Sequence, residues 1–273
     1  MDLDGASVLL TGGSRGLGPH IARALLARGA RVTLSARSED DLERVRATLS
    51  PDRVDVVPGD VTNEDDRASM VAGAEAAFGP LDVLVNNAGI ESVLAFQRYT
   101  EDDIAALIQV NLDAPIQLSR LAIPGMLERQ RGHIVNMASV AGKAAVPYNT
   151  VYSATKHGLV GFTYSLRAEL HGTGVSASVV CPGYVTEAGL TADRIHSNPR
   201  RTEAWTTPGK VSAAVVRAIE RDLPDVVVSG VLGKLADVSV ALSPRLTEAI
   251  ARRTRSYRFQ RVEAEAQSRK REG

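Results

Sequence analysis

The stretch Val151-Tyr152-Ser153-Ala154-Thr155-Lys156 places a tyrosine four residues before a lysine in a segment that reads as a helix, so both side chains share one helix face. They are either a proton-transfer pair or two amphipathic side chains covering the same surface, and spacing alone favours the second. The first has a definite chemistry. An ordinary tyrosine titrates near pH ~10, too high for efficient proton exchange at neutrality. A lysine charge one turn away favours tyrosinate and lowers that value. A tyrosine so tuned can donate a proton to an oxygen gaining charge or accept one from a hydroxyl. Single residues leave similar choices open. Ser139 is a turn or cap residue or a site hydroxyl, Asn111 a buried helix-fixing amide or a site group, and Lys156 a charge or a snorkelling stem.

A second reactive-looking stretch is Thr11-Gly12-Gly13-Ser14-Arg15-Gly16-Leu17-Gly18, directly after an apolar run and before a helical pattern. Its glycines allow a tight turn and a close approach of backbone to a pyrophosphate at the positive end of the helix. Pro19 falls in the first turn, where its missing N–H is tolerated. Three nearby glycines alone are weak evidence, since strand-to-helix turns also need them. Placed after the first strand of a βαβ unit, they favour dinucleotide binding.

The elements that must hold these residues follow from periodicity. Short Val- and Leu-rich runs alternate with Ala-rich helical patterns, which predicts buried parallel strands joined by crossover helices. The expected strands are 7–10, 31–35, 54–58, 83–86, 132–137, 176–181 and 225–228. The expected helices are 16–28, 39–49, 64–78, 101–129, 151–171 and 208–221, with N-caps at Ser38, Thr62, Thr100 and Thr207. The economical fold is α/β: a Rossmann-like doubly wound sheet of about seven parallel strands with helices on both faces.

The order of motifs resembles the classical short-chain dehydrogenase/reductase family over about residues 6–230. Glycine, three residues, glycine, one residue, glycine in the first turn is followed by Asn86-Asn87-Ala88-Gly89, Asn111, Ser139, Tyr152 with Lys156, and Pro182-Gly183. The resemblance implies a catalytic set of Asn111, Ser139, Tyr152 and Lys156. Ser139 would hydrogen-bond the substrate oxygen, Tyr152 act as general acid/base, Lys156 also bond the nicotinamide ribose, and Asn111 hold a water leading to solvent. It further implies cofactor contacts from Gly12, Ser14, Arg15, Gly16, Leu17 and Gly18 in the turn, and from Asp60 and Val61 at the adenine. Asn87, Ala88, Gly89, Pro182, Gly183, Val185 and Thr186 would line the remainder. Glu187 stands where many family members carry a threonine. After the second strand, Leu34-Ser35-Ala36-Arg37 offers no acid until Glu39, so Arg37 and Arg15 are expected to bracket a 2′-phosphate, and the cofactor is expected to be NADP(H).

The expected activity is therefore hydride transfer between NADPH and a ketone or secondary alcohol. An apolar substrate is expected from loop residues Val93, Leu94, Phe96, Val146, Tyr148, Leu190, Ile195 and Trp205, and a lipid-like one is implied by the extended C-terminus with Leu242-Ser243-Pro244-Arg245-Leu246, which resembles the longer-tailed members of the family. A non-catalytic NADP-binding sensor or scaffold is the competing reading, against which the full set of four residues argues. Thirty-two basic and thirty-two acidic residues cancel, which gives no global attraction to nucleic acid. The five histidines lack metal-ligand spacing, and the lone Cys181 permits no internal disulfide. With no signal peptide or membrane span legible, a cytoplasmic protein is expected, and the family resemblance implies a homodimer or homotetramer packed through the long helices containing Asn111 and Tyr152. Residues 1–230 read as one catalytic domain. Residues 231–273 read as a helical extension fraying after about Arg258 into a disordered basic tail, for which peripheral membrane contact is the functional alternative to plain solvation.

Overall fold

The computed structural model describes residues 1–190, 205–230 and 255–272, with side chains of the last segment described over 260–269. Nine strands occur there: β1 (Ser7–Thr11), β2 (Arg31–Ala36), β3 (Val54–Pro58), β4 (Val83–Asn86), β5 (Gly132–Met137), β6 (Val175–Pro182), β7 (Tyr184–Val185), β8 (Trp205–Thr206) and β9 (Asp225–Val228). Seven form one parallel sheet in the order β3-β2-β1-β4-β5-β6-β9. β1, β4 and β5 are buried along their whole lengths. That explains their unbroken apolar runs: a strand covered on both faces has no solvent side.

Alternation along β1 shows the two layers. Val8 and Leu10 pack with Ile21, Leu25, Val211, Val215 and Ile219, from helices α1 (Gly18–Leu26) and, further along the chain, residues 208–220. Leu9 points the other way, into a core with Met70, Leu118, Met126 and Leu166. The remaining helices are α2 (Glu39–Arg46), α3 (Glu64–Phe78), α4 (Glu101–Ile108), α5 (Ala114–Glu128), α6 (Thr150–Glu169), α7 (Pro208–Glu220) and α8 (Arg255–Glu272). None of the described helices is long and apolar enough to cross a membrane.

Four expectations need correction. The single helix expected over 101–129 is two helices joined by a π-helical turn, Gln109–Asp113, with Asn111 at its centre. Pro115 has no N–H to return to the Asn111 carbonyl four residues back, and its ring crowds that carbonyl, so a regular α-turn is unfavourable here. The cap of α3 is Asn63, whose Oδ1 accepts from Asp66 N; the neighbouring Thr62 instead donates to Asp60. Trp205, expected in a loop, instead forms a short strand with Thr206 that pairs in parallel with Tyr184 and Val185; Ile195 lies outside the described residues. Finally, helix α8 runs to Glu272 where a frayed tail was expected. Its inward face carries Gln260, Glu263, Ala264 and Ser268, all buried, while Val262 is 50 % exposed. A face that docks through polar groups gives no hydrophobic period to detect. The stretch 231–254, where a membrane contact was considered, is outside the described residues.

Candidate active site

The strand order reverses between β1 and β4, and the loops leaving their carboxyl ends open a crevice there, where doubly wound sheets bind ligands. The glycine turn forms one side. Gly12 and Gly16 adopt positive φ of 64° and 62°, conformations that cost a side-chain-bearing residue strain. A Cβ on Gly18 would lie 2.3 Å from the Gly12 oxygen, and one on Gly12 would lie 2.9 Å from Ala88 Cα. The turn is thus pressed against both α1 and the loop after β4. Thr11, to which the sequence assigned no role, ties these parts together: its Oγ1 accepts from the N–H groups of Asn87 and Ala88, both at 3.1 Å. Asn87 Nδ2 donates to the carbonyls of Thr11 and Gly12.

Helices α2, α3, α4 and α7 are capped by Ser38, Asn63, Thr100 and Thr207. Helix α1 begins after Leu17 with no side-chain cap and no acid in its first turn. Its positive end faces a crevice shaped by glycine, a donor set that fits a pyrophosphate.

The proton-transfer candidates enter from α5's approach, β5 and α6. A buried relay fixes α6 on the sheet: Asn86 Nδ2 donates to Asn136 Oδ1, Asn136 Nδ2 to Thr163 Oγ1, and Thr163 Oγ1 to the Leu159 carbonyl. On that helix Tyr152 and Lys156 are 7 % and 4 % exposed. Lys156 Nζ lies 5.6 Å from the Tyr152 ring centroid and donates to the Met137 carbonyl at 2.9 Å. Burial pulls its pKa down to about 8, because low-dielectric surroundings disfavour the charged form. Ser139 follows β5 and caps a short 3₁₀ turn, its Oγ accepting from Ala141 N. That turn sits on α6: a Cβ on Gly142 would lie 2.6 Å from the Lys156 carbonyl oxygen, and Ala141 packs with Tyr152. Asn111 is fully buried and brackets Ile90, its Oδ1 accepting from Ile90 N and its Nδ2 donating to Ile90 O, each at 2.9 Å. Gly89 lies between it and the lysine, since a Cβ there would be 3.2 Å from Asn111 Oδ1 and 3.8 Å from Lys156 Nζ.

A cavity of about 650 Å³ joins these parts. Gly12, Arg15, Gly16, Leu17, Asn87, Ala88 and Gly89 line it with Ser139, Tyr152, Lys156, Pro182, Gly183 and Val185. The other expected residues lie outside its lining. Ser14 is in the turn, Arg37 is exposed after β2, and Asp60 and Val61 follow β3. The Asp60 carboxylate accepts from both Thr62 N and Thr62 Oγ1. Thr186 turns its hydroxyl to the Thr206 carbonyl, and its neighbour Glu187 lines the cavity instead.

The expected apolar wall is only partly formed. Val93 and Leu94 are wholly buried beneath their loop, and Phe96 is 62 % exposed. Val146 and Leu190 reach the cavity, but so do Glu91, Asn149, Tyr184 and Gln260, which the sequence did not single out. Asn149 Nδ2 donates to Glu91 Oε1, and Gln260 Nε2 to the Tyr184 hydroxyl. Helix periodicity alone gave no sign that Gln260, more than one hundred residues from Tyr152 in sequence, reaches this cleft. Cys181 is a buried core side chain beside Val160 and Val179. Among the described residues no group of three or more His, Cys, Asp or Glu is arranged to hold a metal ion.

Comparison with known proteins agrees with this geometry. The family described as short chain dehydrogenase matches residues 6–198. Ketoacyl reductase HetN of Nostoc sp. is 44 % identical over 229 residues, 83 % of this chain and 79 % of that protein. Dehydrogenase/reductase SDR family protein 7-like of Drosophila melanogaster is 35 % identical over 257 residues, 89 % and 78 % of the two chains. A crystal structure of an actinorhodin polyketide ketoreductase variant with NADPH superposes with a TM-score of 0.77 at 31 % identity, covering 84 % of this chain and 97 % of that one.

Proposed function

The chain belongs to the short-chain dehydrogenase/reductase family of oxidoreductases, and on that premise we propose that it reduces a ketone to a secondary alcohol with NADPH, Tyr152 serving as the proton donor. One observation carries the reading: Tyr152, Lys156 and Ser139 line the same cavity as the glycine turn. The nicotinamide, when bound, supplies the hydride. The chain's own residues manage the rest. The glycine turn and the open end of α1 receive the pyrophosphate. Arg15 and Arg37, both exposed beside the turn and β2, hold the 2′-phosphate through forked, charged hydrogen bonds. Ser139 and Tyr152 together orient the carbonyl oxygen, and Tyr152 gives it a proton. Lys156, mostly charged at neutrality with a pKa of about 8, favours tyrosinate and so lowers the cost of that transfer. Asn111 keeps the loop after Gly89 in place and holds the water through which the proton is replaced.

Relatives that act on ketoacyl and polyketide chains support a 3-oxoacyl-like or other medium-sized ketone as the substrate. The same family membership supports a homo-oligomer, built through α4 to α6, where Ile108, Leu127 and Tyr164 are exposed.

Absorbance of NADPH followed with a panel of ketones tests the reading, and turnover is expected. Arg37→Ala should weaken NADPH about ten- to a hundredfold, the worth of a charge-assisted pair, with little change for NADH. Cofactor binding without turnover of any ketone would contradict the reductase; equal losses for both cofactors would contradict the phosphate assignment.

A further inference from the structure

Helix α8 docks with a face that is almost wholly polar, and two of its residues bond to separate segments of the chain, one of them, Gln260, in the lining of the cleft. Gln267 Oε1 accepts from Val93 N at 3.0 Å, in the loop after β4. Gln260, two turns earlier on the same face, donates from Nε2 to the Tyr184 hydroxyl at 2.6 Å, on β7. The helix therefore ties the loop after β4 to β7. Gln260 is 2 % exposed and lines the cavity, and its Oε1 is buried with no hydrogen-bond partner. Asn149 Oδ1, in the same lining, is likewise buried and unpartnered. The carboxylate of Glu91 beside Asn149 adds a further acceptor to that lining.

We propose that Gln260 is a specificity-determining residue, whose side-chain oxygen accepts a hydrogen bond from a hydroxyl or amide N–H that the ketone substrate carries at a distance from its carbonyl. This rests on the reductase reading and names its substrate class more closely: a ketone with a neutral hydrogen-bond donor, in preference to a purely hydrocarbon one. A buried acceptor without a partner is costly, and a donor arriving at Oε1 relieves that cost. The terminal torsion of glutamine is soft, which lets the carboxamide turn toward the donor while α8 stays anchored by Gln267. The Glu91 carboxylate in the same lining disfavours anionic groups.

Matched methyl ketones of increasing chain length, each ending in a hydroxyl or in its methyl ether, test the assignment with NADPH. At the matching length the hydroxyl compound should show a kcat/KM about ten- to a hundredfold above its ether. Gln260→Met, close in volume, should erase that difference through KM while leaving turnover of the ethers intact. Gln267→Ala, which loosens the helix at its other end, should affect hydroxyl and ether alike. Calorimetric binding of each pair to NADPH-loaded Tyr152→Phe protein gives the same comparison without turnover. Equal kcat/KM for both members at every length, or a preference that survives in Gln260→Met, would overturn the role of Gln260 while leaving the reductase standing. No turnover and no binding of any member would refute the reductase reading and this inference with it.

Discussion

Lys156 is 4 % exposed, and its ammonium has the Met137 carbonyl as an acceptor. Burial lowers its pKa from 10.5 to about 8, so the unfolded chain holds that proton more tightly than the folded one. The contribution to stability is therefore full above pH 10.5 and is lost as pH falls through about 8. At neutrality the ligand-free protein carries the penalty of a buried charge. Lys156→Met should raise its stability at pH 7 by about 1–2 kcal/mol, after the loss of the Met137 hydrogen bond is subtracted, and the advantage should disappear by about pH 10.5. Urea denaturation at both pH values measures this; a variant less stable at pH 7 would show that the lysine is structural. At this scale the sequence was informative about residues whose type sets their chemistry. It was silent about Thr11 and Gln260, whose parts depend on neighbours that only the fold supplies.

The strands and most helices were legible because buried parallel strands and capped amphipathic helices leave local marks, such as Ser38, Thr100 and Thr207 before their helices. The π-turn at Gln109–Asp113 was not, since Pro115 is tolerated near a helix start and its effect on the Asn111 carbonyl emerges only once α4 and α5 are in register. Helix α8 was hidden for the opposite reason: its docking stripe is polar. The glycine turn shows how an element makes the site. Gly18→Ala would press a methyl against the Gly12 oxygen and Gly13 Cα, backbone atoms that cannot move aside without opening the turn. NADPH affinity, titrated by fluorescence, should fall at least about tenfold, as expected when a backbone can no longer approach the pyrophosphate. Gly209→Ala, with open space around its Cβ position, should bind NADPH as the parent does. Equal affinity in both variants would argue against the turn as the phosphate site.

Across the whole molecule, the sheet order brings together residues far apart in the chain. Gly12 follows β1, Asn87 follows β4, Ser139 follows β5, Tyr152 stands on α6 and Pro182 ends β6, yet all line one cavity at the point where the order reverses. The motif order carried that much into the sequence, because the motifs at Gly12, Asn87, Ser139 and Pro182 sit at strand carboxyl ends and Tyr152 follows on the next helix. The substrate end was less legible: Val93 and Leu94 pack beneath their loop, and α8 supplies polar groups from the far end of the chain. The central claim is that this assembly positions Tyr152 as the proton donor. Its most direct test is the turnover of Tyr152→Phe on a ketone that the parent reduces, with NADPH affinity measured alongside. Turnover should fall by about 10²–10⁴, the range of general acid catalysis, while NADPH affinity stays within about threefold. Turnover close to the parent's would contradict the account.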